Sequence, residues 1–149
     1  MLQIGDEAID FTLKDTNGNK IRLSDFKGKS IVLYFYPKDM TPGCTKEACS
    51  FRDNFYKFKG MEIFGVSLDD EKSHKKFSGK YDLPFKLLSD VNGEVAKKYG
   101  VYRKKLMFLK SFFGIKRTTF LIDENFKIKH IFKTVDTADH ANQVLEKVK

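Results

Sequence analysis

The sequence predicts an α/β domain with a central mixed sheet flanked by helices. One observation supports this class, and a second indicates a single domain. Short apolar segments typical of strands alternate with longer segments whose apolar residues recur at helical spacing. No internal repeat, low-complexity tract or linker divides the chain, so residues 1–149 are predicted to form a single domain. With 149 residues, of which 41% are hydrophobic and 32% charged, the chain has the length and composition of one globular core.

The first predicted elements are an N-terminal β-hairpin and a buried strand. Residues 11–14 and 20–23 are short strand-like segments, and Asn17-Gly18 between them is a strong signal for a tight turn. Residues 31–36 form a continuous apolar and aromatic run, which is typical of a strand buried on both faces. We therefore expect this run to be a central strand of the sheet.

Helices and a second strand are predicted to follow. Residues 45–58 place apolar residues at helical spacing with Lys and Arg between them, and Gly60 ends that helix. Residues 61–67 predict a strand, and the segment from 69 to about 80 predicts a helix whose first residues are acidic, which suits the helix dipole. A short helix is predicted over residues 93–99.

The C-terminal part predicts a second hairpin and a final helix. Residues 118–122 and 127–132 are strand-like on either side of a four-residue turn, and residues 137–148 carry apolar side chains on one helical face. A parallel βαβ unit followed by an antiparallel hairpin and a helix is the order of a thioredoxin-like fold. In such sheets the turn after a central strand is a standard place for a functional site.

The turn after the strand at 31–36 contains Cys44, one of two cysteines in the chain. A cysteine between a strand end and a helix start faces free backbone N–H groups and the positive end of the helix dipole, which favour the reactive thiolate. Gly43 has no side chain, so a ligand can approach the backbone closely. Thr41 suits the N-cap of the helix or a hydroxyl directed at the thiolate, and these roles are compatible. The alternative for Cys44 is a buried small hydrophobe.

Glu47 lies three residues after Cys44, on the same face of the predicted helix. A carboxylate alone would oppose a thiolate, so its presence suggests a nearby cation. Our candidate is Arg117, at the start of a later strand. The alternative is that Glu47 is an ordinary first-turn acid that interacts with the helix dipole.

Cys49 follows Cys44 by five residues, which raises a geometric problem. In an intact helix such residues have Cα atoms about 8.6 Å apart and point roughly 140° away from each other. A disulfide needs Cα atoms within about 7 Å, so the two cysteines can bond only if the first helical turns unwind. The spacing also differs from the C-x-x-C of thiol–disulfide oxidoreductases. The alternative is that Cys49 is simply a core residue.

The formal net charge is +8, and lysines are spread along the whole chain. The densest basic run is 103–117, where basic residues are interleaved with apolar and aromatic ones. That pattern fits either a loop with a partly buried segment or a basic-aromatic strip that binds nucleic acid. We expect the former and no nucleic-acid partner, although a basic surface can dock an acidic protein.

Other observations bear on cofactors and compartment. The three histidines lie in separate segments, so we expect surface positions for them, no metal site and no other cofactor. No apolar run is long enough to span a bilayer, and the first residues lack the pattern of a signal peptide. We therefore expect a cytoplasmic protein with no membrane partner. Two cysteines in a reducing compartment favour redox or catalytic chemistry over a structural disulfide.

The residues around Cys44 resemble the peroxiredoxin motif P-x-x-x-T-x-x-C, with Pro37, Thr41 and Cys44 in register. A second cysteine five residues later is similar to the bacterioferritin-comigratory-protein subfamily, also called Q-type, which is an atypical two-cysteine type. The segment 117–123, Arg-Thr-Thr-Phe-Leu-Ile-Asp, matches the downstream arginine strand of that subfamily. The order of elements fits over nearly the whole chain.

This resemblance implies a thiol-dependent peroxidase that reduces hydrogen peroxide and organic hydroperoxides. Cys44 would attack the peroxide and become a sulfenic acid, and Cys49 would resolve it as an intramolecular disulfide. Thioredoxin or a similar dithiol would then reduce that disulfide, and no metal, haem or flavin would be required. Oligomeric state does not follow from the resemblance; we expect a monomer and leave a dimer open.

The resemblance also implies roles for the surrounding residues. Thr41 would orient the thiolate and the peroxide, and Pro37 would shield the pocket from water. Arg117 would favour the thiolate and stabilise developing charge on the oxygens, as would the backbone N–H groups of Gly43 and Cys44. Glu47 would position Arg117.

Two alternative functions remain open from the sequence. The first is a thiol–disulfide oxidoreductase on the same fold, which is disfavoured by the missing C-x-x-C and by Thr118, where such an enzyme is expected to place a cis-proline. The second is a non-enzymatic basic interaction module, either a nucleic-acid binder or a holdase-type protein, which the net charge and the run at 103–117 motivate.

Overall fold

The structure is a computed structural model that describes residues 2–148. Within this part of the chain, strands and helices alternate as an α/β protein requires. The strands are β1 (Thr12–Lys14), β2 (Lys20–Arg22), β3 (Ile31–Phe35), β4 (Glu62–Ser67), β5 (Lys86–Ser89), β6 (Tyr102–Met107), β7 (Lys110–Ile115), β8 (Thr118–Ile122) and β9 (Ile128–Phe132). The α-helices are α1 (Pro42–Asp53), α2 (Glu71–Tyr81), α3 (Glu94–Lys98) and α4 (His140–Val148).

Seven strands form one mixed sheet in the order β2-β1-β5-β4-β3-β8-β9. β3 pairs in parallel with β4, and β4 with β5, whereas β3 pairs antiparallel with β8. β1 and β2 form the predicted N-terminal hairpin. The predicted mixed sheet with flanking helices is therefore confirmed, and β3 lies inside it as expected. β6 and β7 form a separate two-stranded sheet.

Strand β3 separates two hydrophobic cores because its side chains alternate between the two faces of the sheet. Leu33 and Phe35 belong to one core, together with Phe120 of β8. Tyr34 belongs to the other, where its ring stacks on Phe51 of α1 with the ring centroids 4.9 Å apart. All five residues of β3 are buried, as the continuous apolar run predicted. α1 is thus fixed directly against the strand that leads into it.

The prediction of a helix over residues 45–58 is wrong at both ends. The helix begins at Pro42, because proline suits the first helical position and Thr41 before it is extended. It ends at Asp53, because the side-chain amide of Asn54 donates a hydrogen bond to the backbone carbonyl of Ser50. A separate 3-10 turn follows over Phe55–Phe58. Cys44 is therefore a residue of the first helical turn rather than one that precedes the helix.

Three strands were not predicted. β5 is only four residues long, so it gives too little periodicity to detect. The segment 103–116, predicted to be a loop with a partly buried segment, instead forms the β6–β7 hairpin. Its turn is Phe108-Leu109, and neither residue is typical of a hairpin turn.

The final helix begins at His140, three residues later than predicted. No helix in residues 2–148 is both long and apolar enough to cross a membrane.

We predict that Gly65→Ala destabilises the fold. Gly65 of β4 lies between Tyr34 and Leu87, and a Cβ atom there would lie 2.7 Å from Tyr34 Cζ and 2.9 Å from Leu87 Cδ2. Because both neighbours are buried, relief requires repacking under α1, and we expect the free energy of unfolding to fall by about 1–3 kcal/mol in urea titrations. Gly79→Ala, at an exposed helical position with no neighbour within 4 Å, is the control and should be neutral or stabilising by up to about 1 kcal/mol. Equal urea midpoints for the two variants would contradict this account.

Candidate active site

The first turn of α1 presents Cys44 at the carboxyl end of β3. Thr41 is the N-cap residue, with φ −75° and ψ 153°, and the first intrahelical bond runs from the N–H of Thr45 to the carbonyl of Thr41 at 2.9 Å. The N–H groups of Gly43 and Cys44 precede that bond, so they point out of the helix N-terminus. Cys44 itself is 1% exposed. The fold therefore holds a buried sulfur beside two backbone donors.

Arg117 reaches Cys44 because of the sheet register. Phe35 at the end of β3 pairs with Thr118 at the start of β8, so the residue before Thr118 lies beside the start of α1. Arg117 Nη2 lies 3.3 Å from Cys44 Sγ, and Arg117 Nη1 donates a hydrogen bond to Glu47 Oε1 at 2.6 Å. The planar guanidinium therefore bridges the cysteine and the carboxyl group, as its fork of donors allows. The cation expected from the sequence near Glu47 is Arg117.

Gly43 allows the guanidinium to approach so closely. A Cβ atom at this position would lie 3.1 Å from Arg117 Nη2 and 3.8 Å from a methyl carbon of Thr137. A side chain here would press against the guanidinium group that contacts Cys44. Glycine thus leaves room for the close approach of Arg117 as well as for access to the backbone.

Glu47 is 0% exposed, and its environment resists ionisation. Burial raises its pKa to about 7, although the charge and hydrogen bond of Arg117 act in the opposite direction. Its second oxygen has no hydrogen-bond partner among residues 2–148 and lies 3.7 Å from His140 Nε2. Burial lowers the pKa of His140 to about 4, so this histidine is neutral. Its Nδ1–H donates to Gln143 Oε1 at 2.8 Å, and its Nε2 accepts from the hydroxyl of Thr119 at 2.7 Å.

Thr41 and Pro37 belong to the loop that joins β3 to α1. Thr41 Oγ1 donates a hydrogen bond to the carbonyl of Lys38 at 2.8 Å and does not cap the helix. Because a hydroxyl group has one donor and two acceptor sites, the Thr41 oxygen can still accept a hydrogen bond from a ligand. Pro37 is half-buried at the bend directly after β3. The structure thus places both residues in the loop next to Cys44, with the Thr41 hydroxyl turned toward the loop backbone.

Cys49 is not brought to Cys44. Both cysteines are free and lie in the continuous helix α1, Cys44 buried and Cys49 half-exposed. Burial raises the pKa of the Cys49 thiol; the charge of Arg52 lowers it and that of Asp53 raises it. In the intact helix burial therefore favours the thiol form of Cys49, which points away from Cys44.

The sequence did not reveal a buried polar network behind the loop. The carboxylate of Asp39 accepts hydrogen bonds from the hydroxyl groups of Tyr36 at 2.6 Å and Ser73 at 2.8 Å. Asp39 Oδ2 also lies 2.8 Å from His74 Nδ1, and His74 Nε2 lies 3.1 Å from the carbonyl of Leu88. His74 thus joins the carboxylate of Asp39 to the backbone of β5. The expectation that histidines lie on the surface is therefore wrong for His74, and likewise for His140, because both are fully buried.

This network fixes the loop before Cys44. The N–H of Asp39 donates to Asp69 Oδ2 at 2.8 Å, so the loop is tied both to α2 and to the end of β4. One side-chain atom from each of Asp39, Asp69 and His74 could bind a metal ion, and these three atoms lie within 4.8 Å of one another. These three residues already form hydrogen bonds with protein groups, so we interpret the cluster as a structural network. Asp39 and His74 are 35 residues apart, and no local spacing joins them.

Comparison with known proteins gives a consistent result. A family model described as the AhpC/TSA family matches residues 4–131. Peroxiredoxin Bcp of Bacillus subtilis is 45% identical over 150 residues, which cover 99% of this chain and 96% of that protein. A cysteine variant of PrxQ from Xylella fastidiosa superimposes with a TM-score of 0.93 at 34% identity, covering 99% of this chain and 96% of that one.

A second solved structure is similar. The bacterioferritin comigratory protein of Xanthomonas campestris has a TM-score of 0.92 at 34% identity, covering 99% of this chain and 94% of that one. Its structures were described as trapped intermediate and ligand complexes that bear on alkyl peroxide reduction by that protein. The predicted thioredoxin-like fold is confirmed by these matches.

The buried carboxyl group of Glu47 predicts a specific pH dependence of stability. The pKa of Glu47 is higher in the folded protein than in the unfolded chain, so the folded state binds the proton more tightly. This stabilisation is fully present below the ordinary pKa of a glutamate and is lost as pH rises through about 7. From about pH 4 to about pH 8 the wild type should lose roughly 3 kcal/mol of unfolding free energy relative to Glu47→Gln, because one pKa unit corresponds to 1.36 kcal/mol. Urea titrations of the reduced proteins measure this difference. Glu146→Gln, at an exposed position, is the control and should follow the wild type. An unchanged difference between the wild type and Glu47→Gln across this range would contradict the assignment.

Proposed function

The chain belongs to the AhpC/TSA family and has Bcp and PrxQ peroxiredoxins as relatives, and on this premise we propose that Cys44 is the cysteine that reacts with the peroxide. The resemblance to Q-type peroxiredoxins is confirmed, and the chain is a thiol-dependent peroxidase. One observation carries the assignment of Cys44. The guanidinium of Arg117 contacts the sulfur of Cys44 while Glu47 holds its other nitrogen.

In the first step the Cys44 thiolate attacks one oxygen of hydrogen peroxide or an organic hydroperoxide. The O–O bond breaks, the sulfur becomes a sulfenic acid, and the other oxygen leaves as hydroxide or alkoxide, which takes a proton from water. Negative charge thus moves from the sulfur to the leaving oxygen. Arg117 lies within hydrogen-bond distance of the sulfur, where it can stabilise the charge at both ends of this transfer.

The surrounding groups would orient the peroxide. The N–H groups of Gly43 and Cys44 point out of the helix N-terminus and can donate to its oxygens. The hydroxyl of Thr41 donates to the carbonyl of Lys38, so its oxygen is available to accept the O–H of a hydroperoxide. Pro37 covers the pocket from the loop and reduces access of water. Together these groups would align the O–O bond with the Cys44 sulfur.

In the second step Cys49 resolves the sulfenic acid. Its thiolate attacks the Cys44 sulfur, a disulfide forms, and hydroxide leaves and is protonated to water. With about 8.6 Å between the Cα atoms in an intact helix, this step requires the first turns of α1 to unwind. Unwinding also exposes Cys49 to water, which removes the burial that raises the pKa of its thiol. One motion therefore brings the resolving sulfur closer and favours its thiolate.

The C-terminal half of α1 is anchored and would stay helical. Ser50 Oγ accepts a hydrogen bond from the N–H of Ala141 in α4 at 3.1 Å. Arg52 Nη1 donates to the carbonyl of Tyr81 at the end of α2 at 2.9 Å. Residues 42–49 are instead held by the contacts of Glu47 and Cys44 with Arg117, which would have to break when the part of α1 that contains both cysteines opens.

The cycle closes when a dithiol reduces the Cys44–Cys49 disulfide. We propose thioredoxin or a similar dithiol protein for this step, since thiol–disulfide exchange needs an attacking thiolate and a second thiol to release the product. We also propose that the enzyme acts in the cytoplasm, where a free cysteine pair is maintained, and that it does so as a monomer.

The assignment of the two cysteines predicts distinct products with one equivalent of peroxide. The wild type should form an intramolecular Cys44–Cys49 disulfide, whereas Cys49→Ser should accumulate Cys44 sulfenic acid and lose thioredoxin-coupled turnover. Cys44→Ser should show no peroxide consumption. Mass spectrometry after alkylation and a peroxide assay measure these outcomes. Unchanged turnover of Cys49→Ser would place the resolving thiol elsewhere, and activity of Cys44→Ser would remove the proposal.

The bridge made by Arg117 predicts a large kinetic effect. Arg117→Gln should lower the rate constant of the reaction with peroxide about 10²-fold, because one charged donor to the reacting atoms is lost. Stopped-flow kinetics with the reduced protein measure this rate. Arg22→Gln, at an exposed position on β2 at the far edge of the sheet, is the control and should react like the wild type. A wild-type rate for Arg117→Gln would contradict the role of the guanidinium.

A further inference from the structure

The β6–β7 hairpin presents an exposed apolar tip. Leu106 is 74% exposed, and Phe108 and Leu109 in the turn are 91% and 95% exposed. Phe112 and Phe113 on β7 are also exposed. Side chains of this size at such exposure are unusual when they occur together, and a contiguous apolar group of this kind marks an interaction site.

The two residues of the hairpin turn have a backbone conformation that large side chains disfavour. Phe108 has φ 53° and Leu109 has φ 64°, so both lie in the left-handed region. A two-residue hairpin turn of this type favours Asn-Gly, since large side chains are strained there. Folding alone therefore does not explain two large apolar residues at the tip.

The base of the hairpin is fixed, in contrast to its tip. The ring of Tyr102 stacks on Phe113 with centroids 5.7 Å apart, and the ammonium of Lys97 lies 5.1 Å from the Tyr102 ring centroid. A Cβ atom at Gly93 would lie 2.9 Å from the same ring, so Tyr102 packs tightly against the body of the protein. The apolar tip is thus held out from a rigid base.

Basic side chains surround the apolar tip. Residues 102–117 contain six basic residues and no acidic residue. In the hairpin register Lys104 lies opposite Phe113, and Lys105 lies opposite Phe112, so cations and aromatic rings share the same surfaces. This combination of exposed apolar groups and unopposed positive charge is complementary to a negatively charged apolar interface.

We propose that the β6–β7 hairpin docks on an anionic lipid bilayer surface, with Phe108 and Leu109 entering the boundary between headgroups and acyl chains. The lysines around the tip would then lie at the level of the lipid phosphates. The convex tip fits a fluid surface that can close around it, whereas a protein partner would need a matching pocket. Leu106 and Leu109 are among the most exposed residues of the tip and cannot stack on bases as its phenylalanines can, so the tip suits acyl chains better than nucleic acid.

This binding differs from spanning a membrane, for which no helix among residues 2–148 is long and apolar enough. It therefore departs from the expectation of no membrane partner, which rested on the absence of a spanning segment. A single short apolar tip with basic neighbours should bind reversibly and should depend on salt.

The hairpin is next to the pocket that contains Cys44. β7 continues through Lys116 directly into Arg117, whose guanidinium contacts Cys44. The pKa of Lys105 is lowered by burial and by Arg117 and raised by Cys44, so this lysine lies within electrostatic reach of both groups. If Cys44 acts as proposed above, docking would present the pocket to hydroperoxides of lipid chains at the membrane surface.

Vesicle binding tests the docking surface without using peroxidase activity. The full chain is sedimented with vesicles of pure phosphatidylcholine or of equimolar phosphatidylcholine and phosphatidylglycerol. Binding is expected to the anionic vesicles only and to weaken at high salt. Lys104→Gln/Lys110→Gln should lower the partition coefficient roughly 25-fold, about fivefold for each lysine.

A variant of the turn tests whether the apolar side chains at the tip are needed for vesicle binding when the fold is intact. Phe108→Asn/Leu109→Gly installs residues that prefer the left-handed region, so it should fold at least as stably as the wild type in thermal unfolding and lose most vesicle binding. Tyr56→Asn, which removes another exposed aromatic side chain next to a lysine, is the matched control and should bind like the wild type. Wild-type binding by the folded turn variant overturns the proposal. So does equal binding to neutral vesicles, or binding of the tip to a single-stranded oligonucleotide or a second copy of the chain in place of vesicles.

Discussion

The first turns of α1 impose one constraint on which the rest of the structure depends. Cys44 meets the backbone donors and the guanidinium of Arg117 only while this helix is intact. The same intact helix keeps Cys49 about 8.6 Å away at the Cα atoms, which is too far for a disulfide. The proposed peroxidase therefore needs two states of one segment, one for attack on the peroxide and one for resolution.

The surrounding fold supports this division. Tyr34 stacks on Phe51 and fixes the C-terminal part of α1 to β3, and the hydrogen bonds of Ser50 and Arg52 hold the same part against α4 and α2. At the other end the loop after β3 is held by Asp39 in a buried hydrogen-bond network. The segment that must open thus lies between two fixed points, so its unwinding withdraws Cys44 and Ala48 from the core that contains Tyr34 and leaves the sheet and the core on its other face in place.

The sequence was sufficient to predict the mixed sheet, the position of Cys44 at a helix start and the pairing of Glu47 with a cation. Each of these depends on local pattern or on the chemistry of a residue type near a reactive sulfur. The network around His74 and the β6–β7 hairpin were missed for a physical reason. The first joins Asp39 to a residue 35 positions away through tertiary packing, and the second uses large residues in a turn that favours small ones. Burial and a strained turn are properties of the folded chain, so the spacing of residues in the sequence does not predict them.

Hydrogen exchange of the α1 amides before and after oxidation tests the two-state account of this helix most directly. In the reduced protein the amides of residues 45–53 should be protected as one helix. After one equivalent of peroxide the amides of residues 45–53 should exchange rapidly, because each donates to a carbonyl in or before the segment that unwinds, whereas the amide of Asn54, which donates to the carbonyl of Ser50, should stay protected. Protection that is unchanged throughout α1 in a protein shown to contain the Cys44–Cys49 disulfide would contradict the account.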